Sequence, residues 1–259
     1  MGVSQEPQSE QTGRPLLYVL SAGRTGTVFM EKLIRRYFPQ IDATHEPSPS
    51  RYLLMLGNLR NDTGLLKGAT RAFARRHQAA QHDRARPHIE LNPFLCPVTD
   101  LLPHTTRPLH IVHMVRDPGE WAQSMTTFKA SSKYRHIIDF VPFAKPFPSP
   151  RPPGWRGLSP FEKSLHRWNW CNARIEALAP QAERYAVVRA EDVFSPDADR
   201  RAAALTAIFD TLGLEAPSEI DPAIFGQKVN PAPSGHDLRD AQAVRTICGP
   251  LARRYGYDL

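Results

Sequence analysis

The sequence has few cysteines and no long apolar run. Only three cysteines occur among 259 residues; they are widely spaced, and none belongs to a C-x-x-C pair. A disulfide framework and a zinc site are therefore not expected, and we predict that Cys96, Cys171 and Cys248 are buried small side chains. No stretch approaches the roughly 20 apolar residues that span a bilayer. We expect no membrane span and no bound metal.

The N-terminal segment also lacks the charged start and apolar centre of a secretory signal. We therefore expect a cytoplasmic protein. Residues 1–14 are polar and contain proline and glycine, which predicts a disordered N-terminal tail. Composition does not shift abruptly after that point, so residues 15–259 are predicted to form a single domain.

Basic residues are in excess, and the formal net charge is +7. This balance favours an anionic partner but does not identify it. The largest basic cluster lies in residues 67–88, where a solvated helix face and an anion-binding surface both fit the pattern. Only one aromatic residue that could stack on a base, Phe73, is interleaved with these arginines, so we do not expect a nucleic acid partner.

Short apolar runs alternate with helical patterns along most of the chain. Residues 15–21, "PLLYVLS", are typical of a strand buried on both faces, and a helical stripe follows at once. The alternation predicts an α/β fold with a central, mainly parallel sheet of about five strands flanked by helices. The further predicted strands are 41–46, 87–91, 109–116 and 184–191, and two of the helices are 161–178 and 200–212.

A proline-rich segment interrupts this alternation. Residues 142–153, "PFAKPFPSPRPP", contain six prolines, which are too many for a helix or a central strand. We predict a long extended loop. A cover over an active site and a stiff surface connection are both compatible with it.

The stretch "LSAGRTGTVFMEKLI", residues 20–34, predicts an anion site. A strand, a glycine turn and a helix N-terminus aim backbone N–H groups and the positive end of the helix dipole at one point. Arg24 adds a permanent charge whose planar fork suits phosphate or sulfate oxygens. The pattern G-x-x-x-x-G-K-[ST] is absent, because Gly26 is followed by Thr27 and Val28. An ordinary ATPase or GTPase is therefore disfavoured.

A second motif, "RDPGEWAQS", opens where the strand at 109–116 ends. Arg116 is expected at the carboxyl edge of the sheet, where open α/β sheets bind ligands. Asp117 can cap the following helix, Pro118 suits its first position, and Glu120 is expected to complete a capping-box-like arrangement. Ser124 falls about two turns into the helix, on nearly the same face as Asp117.

These two motifs together resemble those of sulfotransferases that use 3′-phosphoadenosine 5′-phosphosulfate (PAPS) as donor. "SAGRTGTVF" looks like the family's loop for the 5′-phosphosulfate, and "VRDPGEWAQS" looks like its 3′-phosphate motif, an Arg followed eight residues later by a Ser. "VVRAEDV" and "IFDTLGL" fit later family segments, so the resemblance covers most of residues 15–215. The Arg and "RDP" resemble the Golgi-type and bacterial carbohydrate branch more than the cytosolic branch.

The resemblance implies a P-loop NTPase-like fold, PAPS as co-substrate and no required metal. Arg24 would also stabilise the leaving phosphate. Val28 departs from the family pattern by replacing a hydroxyl residue, and Phe29 stands where many members have Trp. Lys228 and Arg239 are the candidates for later contacts, because the glycine-rich closing motif of cytosolic members is absent. The implied donor-binding residues are Ser21, Gly23, Arg24, Thr25, Gly26, Thr27, Val28, Phe29, Arg116 and Ser124.

Three residues could serve as the general base, since the resembled family carries its base after the second or third strand. His45 and Glu46 follow the second predicted strand in "THEP", and Glu90 ends the third in "HIELNP". We favour Glu46, then Glu90, then His45. Glu90 could instead pair with an Arg of the basic segment. Glu191 and Asp192 are expected to anchor the loop after the fifth strand.

The expected reaction is an in-line transfer of a sulfuryl group from PAPS to a hydroxyl or amine. The acceptor, a small molecule or a carbohydrate, cannot be read from the sequence. Two other functions stay open, a P-loop-type small-molecule or nucleotide kinase and a non-catalytic anion-binding relative. If the protein is a PAPS-dependent sulfotransferase, we expect the anion sites at Arg24 and Arg116 to lie one adenosine nucleotide apart.

Overall fold

Five parallel strands form the centre of the molecule. The computed structural model describes residues 13–104, 106–127, 144–226 and 238–259. The strand order is β2-β3-β1-β4-β5, and every neighbouring pair is parallel. This confirms the predicted α/β fold and its five-stranded sheet. The strands are β1 (Leu16–Ser21), β2 (Asp42–His45), β3 (His88–Leu91), β4 (Leu109–Val115) and β5 (Arg184–Arg189).

Helices cover both faces of the sheet. A 3₁₀ segment, Pro93–Leu101, follows β3, and the turn that follows β5 is a single turn of helix. No helix within the described ranges is both long enough and apolar enough to cross a bilayer. The α-helices are α1 (Thr27–Tyr37), α2 (Ser50–Thr63), α3 (Lys67–His82), α4 (Pro118–Thr127), α5 (Pro160–Glu176), α6 (Ala190–Val193), α7 (Ala198–Leu212) and α8 (Leu238–Arg254).

Two segments bear on the predicted boundaries. Most of the predicted N-terminal tail, residues 1–12, lies outside the described residues. Gly13 and Arg14 already contact the fold, because Gly13 donates its N–H to Thr106 and Arg14 donates to the Arg84 carbonyl. Residues 144–153 contain no helix or strand, as the prolines predict, whereas 142 and 143 lie outside the described part.

The alternation of side chains along β1 divides the core into two halves. Leu16, Tyr18 and Leu20 face a cluster built with α4, α5 and α8. Leu17 and Val19 face the other cluster, built with α1 and α7. Because β1 lies between β3 and β4, all six of its residues are buried, which explains its apolar run from Leu16 to Leu20. The three cysteines are buried and unpaired, as predicted.

Several buried polar side chains lie between α3 and β3. Glu90 is fully buried and accepts hydrogen bonds from the Asn92 amide at 2.6 Å and from His77, whose Nε2 lies 2.8 Å away. Burial, reinforced by neighbouring cations, lowers the pKa of His82 to about 3 and that of His88 to about 4. These imidazoles are therefore neutral in the folded protein at neutral pH.

His113, in β4, is a third buried imidazole. Its ring nitrogens lie 2.8 Å from the Tyr185 hydroxyl and 2.9 Å from the Asn172 side-chain oxygen. Burial lowers the pKa of His113 to about 4, against the opposing effect of the Asn172 hydrogen bond. The folded state thus excludes a proton that the unfolded chain would bind at pH 5.

We expect the stability to fall as the pH drops from 6.5 towards 4. In this window the unfolded chain binds more protons than the folded one, so each such histidine lowers the free energy of unfolding by at most about 1.4 kcal/mol per pH unit. Urea unfolding at pH 7.5, 6.5 and 5.5 measures the slope. His113→Gln should make this slope shallower by about one bound proton per molecule, compared with the wild-type protein. Equal slopes in His113→Gln and the wild-type protein would contradict the assignment.

Candidate active site

The loop between β1 and α1 has a left-handed backbone at three of its residues. Gly23, Arg24 and Gly26 have φ angles of 88°, 57° and 90°. Two of these are glycines, which adopt positive φ without steric cost, and Arg24 is held there by its surroundings. The loop turns the chain sharply from the strand end into the first turn of α1.

The N-terminus of α1 has no protein cap. Gly26 is its N-cap residue and supplies no side chain, and the first turn contains no acidic residue. The first-turn N–H groups of any helix lack acceptors within the helix, and they carry the positive end of its dipole. Next to them, the buried hydroxyl of Thr25 has no hydrogen-bond partner among the described residues. This loop therefore offers donors for an anion.

Arg116 lies beside this loop. β4 pairs with β1 so that Met114 is opposite Ser21, and both strands therefore end at the same edge of the sheet. One terminal nitrogen of Arg116 lies 3.5 Å from the Arg24 carbonyl oxygen. In turn, Arg24 donates from Nε to the Ser124 hydroxyl, 3.4 Å away. The fold thus brings together the predicted residues of both anion motifs, and the two predicted pockets adjoin.

Two like charges share this edge. The pKa of Arg24 is lowered by partial burial and, secondly, by the positive charge of Arg116. Arg116 is mostly buried and also contacts the Glu120 carboxylate at 3.2 Å. Confining two guanidinium groups in this way is unfavourable, and a bound anion would relieve it.

The capping of α4 differs from the sequence prediction. Asp117 does cap the helix, because its carboxylate accepts the Glu120 N–H at 2.8 Å. The expected return bond from Glu120 is absent, since the Asp117 N–H donates instead to Glu191 at 2.8 Å. Glu191 also accepts from the Tyr257 hydroxyl, and burial raises the pKa of the Glu191 carboxyl. The prediction that Glu120 completes a capping box was wrong. The Asp117 N–H donates to the carboxylate of Glu191, which is distant in sequence, and the Glu120 carboxylate contacts Arg116 instead.

His45 and Glu46 lie next to the loop. His45 Nε2 is 2.9 Å from the Thr27 hydroxyl and 3.8 Å from a Glu46 carboxylate oxygen. Glu46 has a φ of 45°, which is rare for a residue with a side chain. Its N–H donates to the Leu91 carbonyl, so the strained residue is held at the end of the sheet. Strained residues of this kind cluster at functional sites.

Glu90 is placed differently. It lies within β3, and the alternation of that strand turns its side chain towards α3 rather than towards α1. Its partner from the basic segment is His77, not the arginine that the sequence suggested. A carboxylate with no exposed surface can act on an acceptor only if the fold opens, so the geometry favours a structural role for Glu90.

The remaining predicted donor-site residues flank the start of α1. Val28 is exposed, and Phe29 packs edge-on against Phe194, with ring centroids 4.9 Å apart, and against Phe225. Ser21 is buried and accepts the Gly23 N–H at 3.0 Å. Lys228 lies outside the described residues, as does the side chain of Arg239.

The contacts that three residues make to support the site were not predicted from the sequence. Phe194 packs on Gly26, and Trp121 donates its indole N–H to the Gly23 carbonyl. Trp168 donates to the Arg116 carbonyl in the same way. These contacts link segments far apart in sequence, and no local pattern encodes them. Within the described residues, no group of three or more His, Cys, Asp or Glu side chains could hold a metal ion.

Gly26→Ala is expected to destabilise the protein by more than about 2 kcal/mol. An alanine would have to keep the unfavourable positive φ of Gly26, and its methyl group would lie 2.6 Å from a Phe194 ring carbon. Gly64→Ala is the matched control, because its φ is also positive but no atom lies within 4 Å. That control should cost about 1 kcal/mol. Urea unfolding compares the two, and equal losses would mean that the Phe194 contact does not restrict the loop.

Comparison with solved structures identifies the architecture. The chain is similar to the sulfotransferase domain from the Synechococcus PCC 7002 olefin synthase, with a TM-score of 0.54, 18% identity and 100% of each chain covered. It is also similar to the sulfotransferase domain from the curacin biosynthetic pathway, with a TM-score of 0.55, 13% identity, and 96% of this chain and 100% of the other covered. No family model matches, and no curated protein matches by sequence. The chain therefore has the α/β fold of these sulfotransferase domains.

Proposed function

We propose that this protein transfers a sulfuryl group from PAPS to a hydroxyl or amine of an acceptor. The observation that carries the proposal is the convergence of Arg24, Arg116 and Ser124 on one sheet edge, beside the uncapped start of α1. The fold of the solved sulfotransferase domains supports it.

The residues present fit a nucleotide with phosphates at both ends of its ribose. In the proposed complex the 5′-phosphosulfate lies against the loop, where the unpartnered hydroxyl of Thr25 and the first-turn N–H groups of α1 would donate to it. The 3′-phosphate lies against Arg116 and Ser124. Phe29 would border the adenine. The short distance between the two arginines suits a single mononucleotide better than an extended polyanion.

Sulfuryl transfer needs an aligned acceptor, stabilisation of the leaving phosphate and a base. PAPS supplies the activated sulfuryl group. Arg24 and the loop N–H groups stabilise the charge that develops on the leaving phosphate, without reorganising during the step. A base near the acceptor removes its proton as the new bond to sulfur forms.

Glu46 is the proposed base. Its carboxylate is partly exposed and lies beside the loop, whereas Glu90 is enclosed in the core. His45 contacts both Thr27 and Glu46, and it is the second candidate because an imidazole at this place could also accept the proton. In this assignment His45 orients the carboxylate, and Glu46 removes the proton.

A kinase is the second candidate function, and two features disfavour it. Kinases and ATPases use a lysine for the β- and γ-phosphates, and Thr27 follows Gly26 here. They also need carboxylates for Mg²⁺, and the described residues contain no group of three or more His, Cys, Asp or Glu side chains that could hold a metal ion. A non-catalytic anion-binding relative would keep nucleotide binding and lack transfer, so only a transfer assay separates it from the enzyme.

The finer assignments belong to the same proposal. A single domain over 15–259, a cytoplasmic location, the absence of a metal and of nucleic acid partners, and a closer relation to the carbohydrate branch all remain predictions. The acceptor is proposed to be a small molecule or a carbohydrate. A screen of acceptor classes with ³⁵S-labelled PAPS would identify it by transfer of label.

The wild-type protein should bind adenosine 3′,5′-bisphosphate without Mg²⁺, and the bound ligand should raise the melting temperature of the protein. Arg24→Ala and Arg116→Ala should each weaken binding by about 10- to 100-fold, because each removes a charge-assisted contact worth about 1.5–3 kcal/mol. Isothermal titration calorimetry measures these affinities.

Arg75→Ala is the matched control, since Arg75 is an exposed arginine of α3. It should bind the bisphosphate as the unchanged protein does. A preference for ATP that depends on Mg²⁺ would favour the kinase instead. Equal losses in all three arginine variants would indicate nonspecific charge attraction and contradict the site.

Glu46→Gln should lower the rate of sulfuryl transfer by about 10²- to 10⁴-fold while leaving bisphosphate affinity nearly unchanged. The substitution keeps the shape of the side chain and removes its basicity. Release of labelled adenosine 3′,5′-bisphosphate from PAPS in the presence of acceptor measures the rate.

His45→Asn and Glu31→Gln complete the comparison. The histidine variant should lose less activity than Glu46→Gln, and Glu31→Gln, which changes a carboxylate on the outer face of α1, should keep full activity. A larger loss in His45→Asn would make His45 the base. If His45→Asn and Glu46→Gln both kept full activity, the general base would be another residue.

A further inference from the structure

Two fully buried tryptophans contact the backbone of the two anion motifs. Trp121, in α4, donates its indole N–H to the Gly23 carbonyl at 2.6 Å, directly before Arg24. Trp168, in α5, donates its indole N–H to the carbonyl of Arg116 at 2.9 Å. One buried indole thus binds the peptide unit that precedes Arg24, and the other binds the peptide unit that follows Arg116.

The peptide unit between Arg116 and Asp117 is fixed at both of its polar atoms. Trp168 holds the carbonyl oxygen, and Glu191 accepts the N–H. A peptide plane held on both sides cannot rotate without breaking a buried hydrogen bond, which is costly. The Arg116 side chain therefore leaves the sheet in a fixed direction.

The loop is restrained on its other side in a similar way. Gly23 has a φ of 88°, and its N–H donates to Ser21 while its carbonyl accepts from Trp121. The Trp121 ring is itself held, because the Arg167 guanidinium lies over it, 5.6 Å from the ring centroid. This network limits the backbone of Gly23, and with it the peptide that carries Arg24.

We propose that Trp121 and Trp168 are positioning residues, one for each phosphate of the donor nucleotide. Trp121 fixes the loop for the 5′-phosphosulfate, and Trp168 fixes Arg116 for the 3′-phosphate. The inference rests on the proposed function for the identity of the two phosphates. Neither tryptophan touches the ligand, since both rings are buried beneath the backbone they hold.

Ligands with one phosphate separate the two roles. Trp168→Phe should weaken binding of adenosine 3′-monophosphate by about 10-fold and change binding of adenosine 5′-monophosphate by less than about 2-fold. Trp121→Phe should show the reverse pattern. Phenylalanine keeps most of the buried ring and removes the N–H. Competition against adenosine 3′,5′-bisphosphate measures both affinities.

Trp170→Phe is the matched control, because Trp170 is also in α5 but packs at the edge of the core. It should bind all three nucleotides as the unchanged protein does. Equal weakening of both monophosphates in each variant would indicate general destabilisation and overturn the positioning roles while the proposed function stands. Failure of the unchanged protein to bind any of the three would overturn both.

A second measurement covers variants that do not fold. In the unchanged protein labelled with ¹⁵N-tryptophan, the indole signals of Trp155 and Trp170 are assigned with their phenylalanine variants, which leaves the other two. Adenosine 3′,5′-bisphosphate should shift those two signals and leave the assigned pair in place. Unmoved signals from Trp121 and Trp168 in a nucleotide-saturated sample would overturn the proposal.

Discussion

The parallel pairing of β1 with β4 is the constraint on which the site depends. Because Ser21 lies opposite Met114, the chain leaves both strands at the same height, and the motifs that begin there must share one edge. Arg24 and Arg116 are 92 positions apart in sequence, yet the carbonyl of one accepts from the side chain of the other. A shift of two residues in the register of β1 and β4 would move Arg24 and Arg116 about 7 Å relative to each other along the strands.

The surroundings of the two arginines explain why the edge suits an anion. Like charges held close together raise the free energy of this edge, and the start of α1 adds a further positive potential without a carboxylate in its first turn. Glu120 offsets part of this charge at Arg116. In the proposed complex, a phosphate would compete with the Glu120 carboxylate for Arg116.

Much of the fold and the outline of the site follow from local sequence. The five strands begin and end within two residues of their predicted bounds, since a buried parallel strand needs a continuous apolar run and a helix needs a 3.6-residue stripe. The loop and the Asp117 cap are equally local. Partners distant in sequence were not predictable: Glu191 takes the N–H assigned to Glu120, and His77 occupies the carboxylate of Glu90. Competition among distant polar groups is decided by tertiary packing, which one sequence does not reveal.

The position of β1 in the sheet has a consequence for synthesis on the ribosome. Leu17 pairs with Ile89 on one side and with His110 on the other, so β1 is made before the strands on both of its sides. While those neighbours emerge, at about 5–20 residues per second, the nascent strand presents two unpaired edges for several seconds. Its side chains are therefore a natural target for a chaperone that recognises short extended apolar segments.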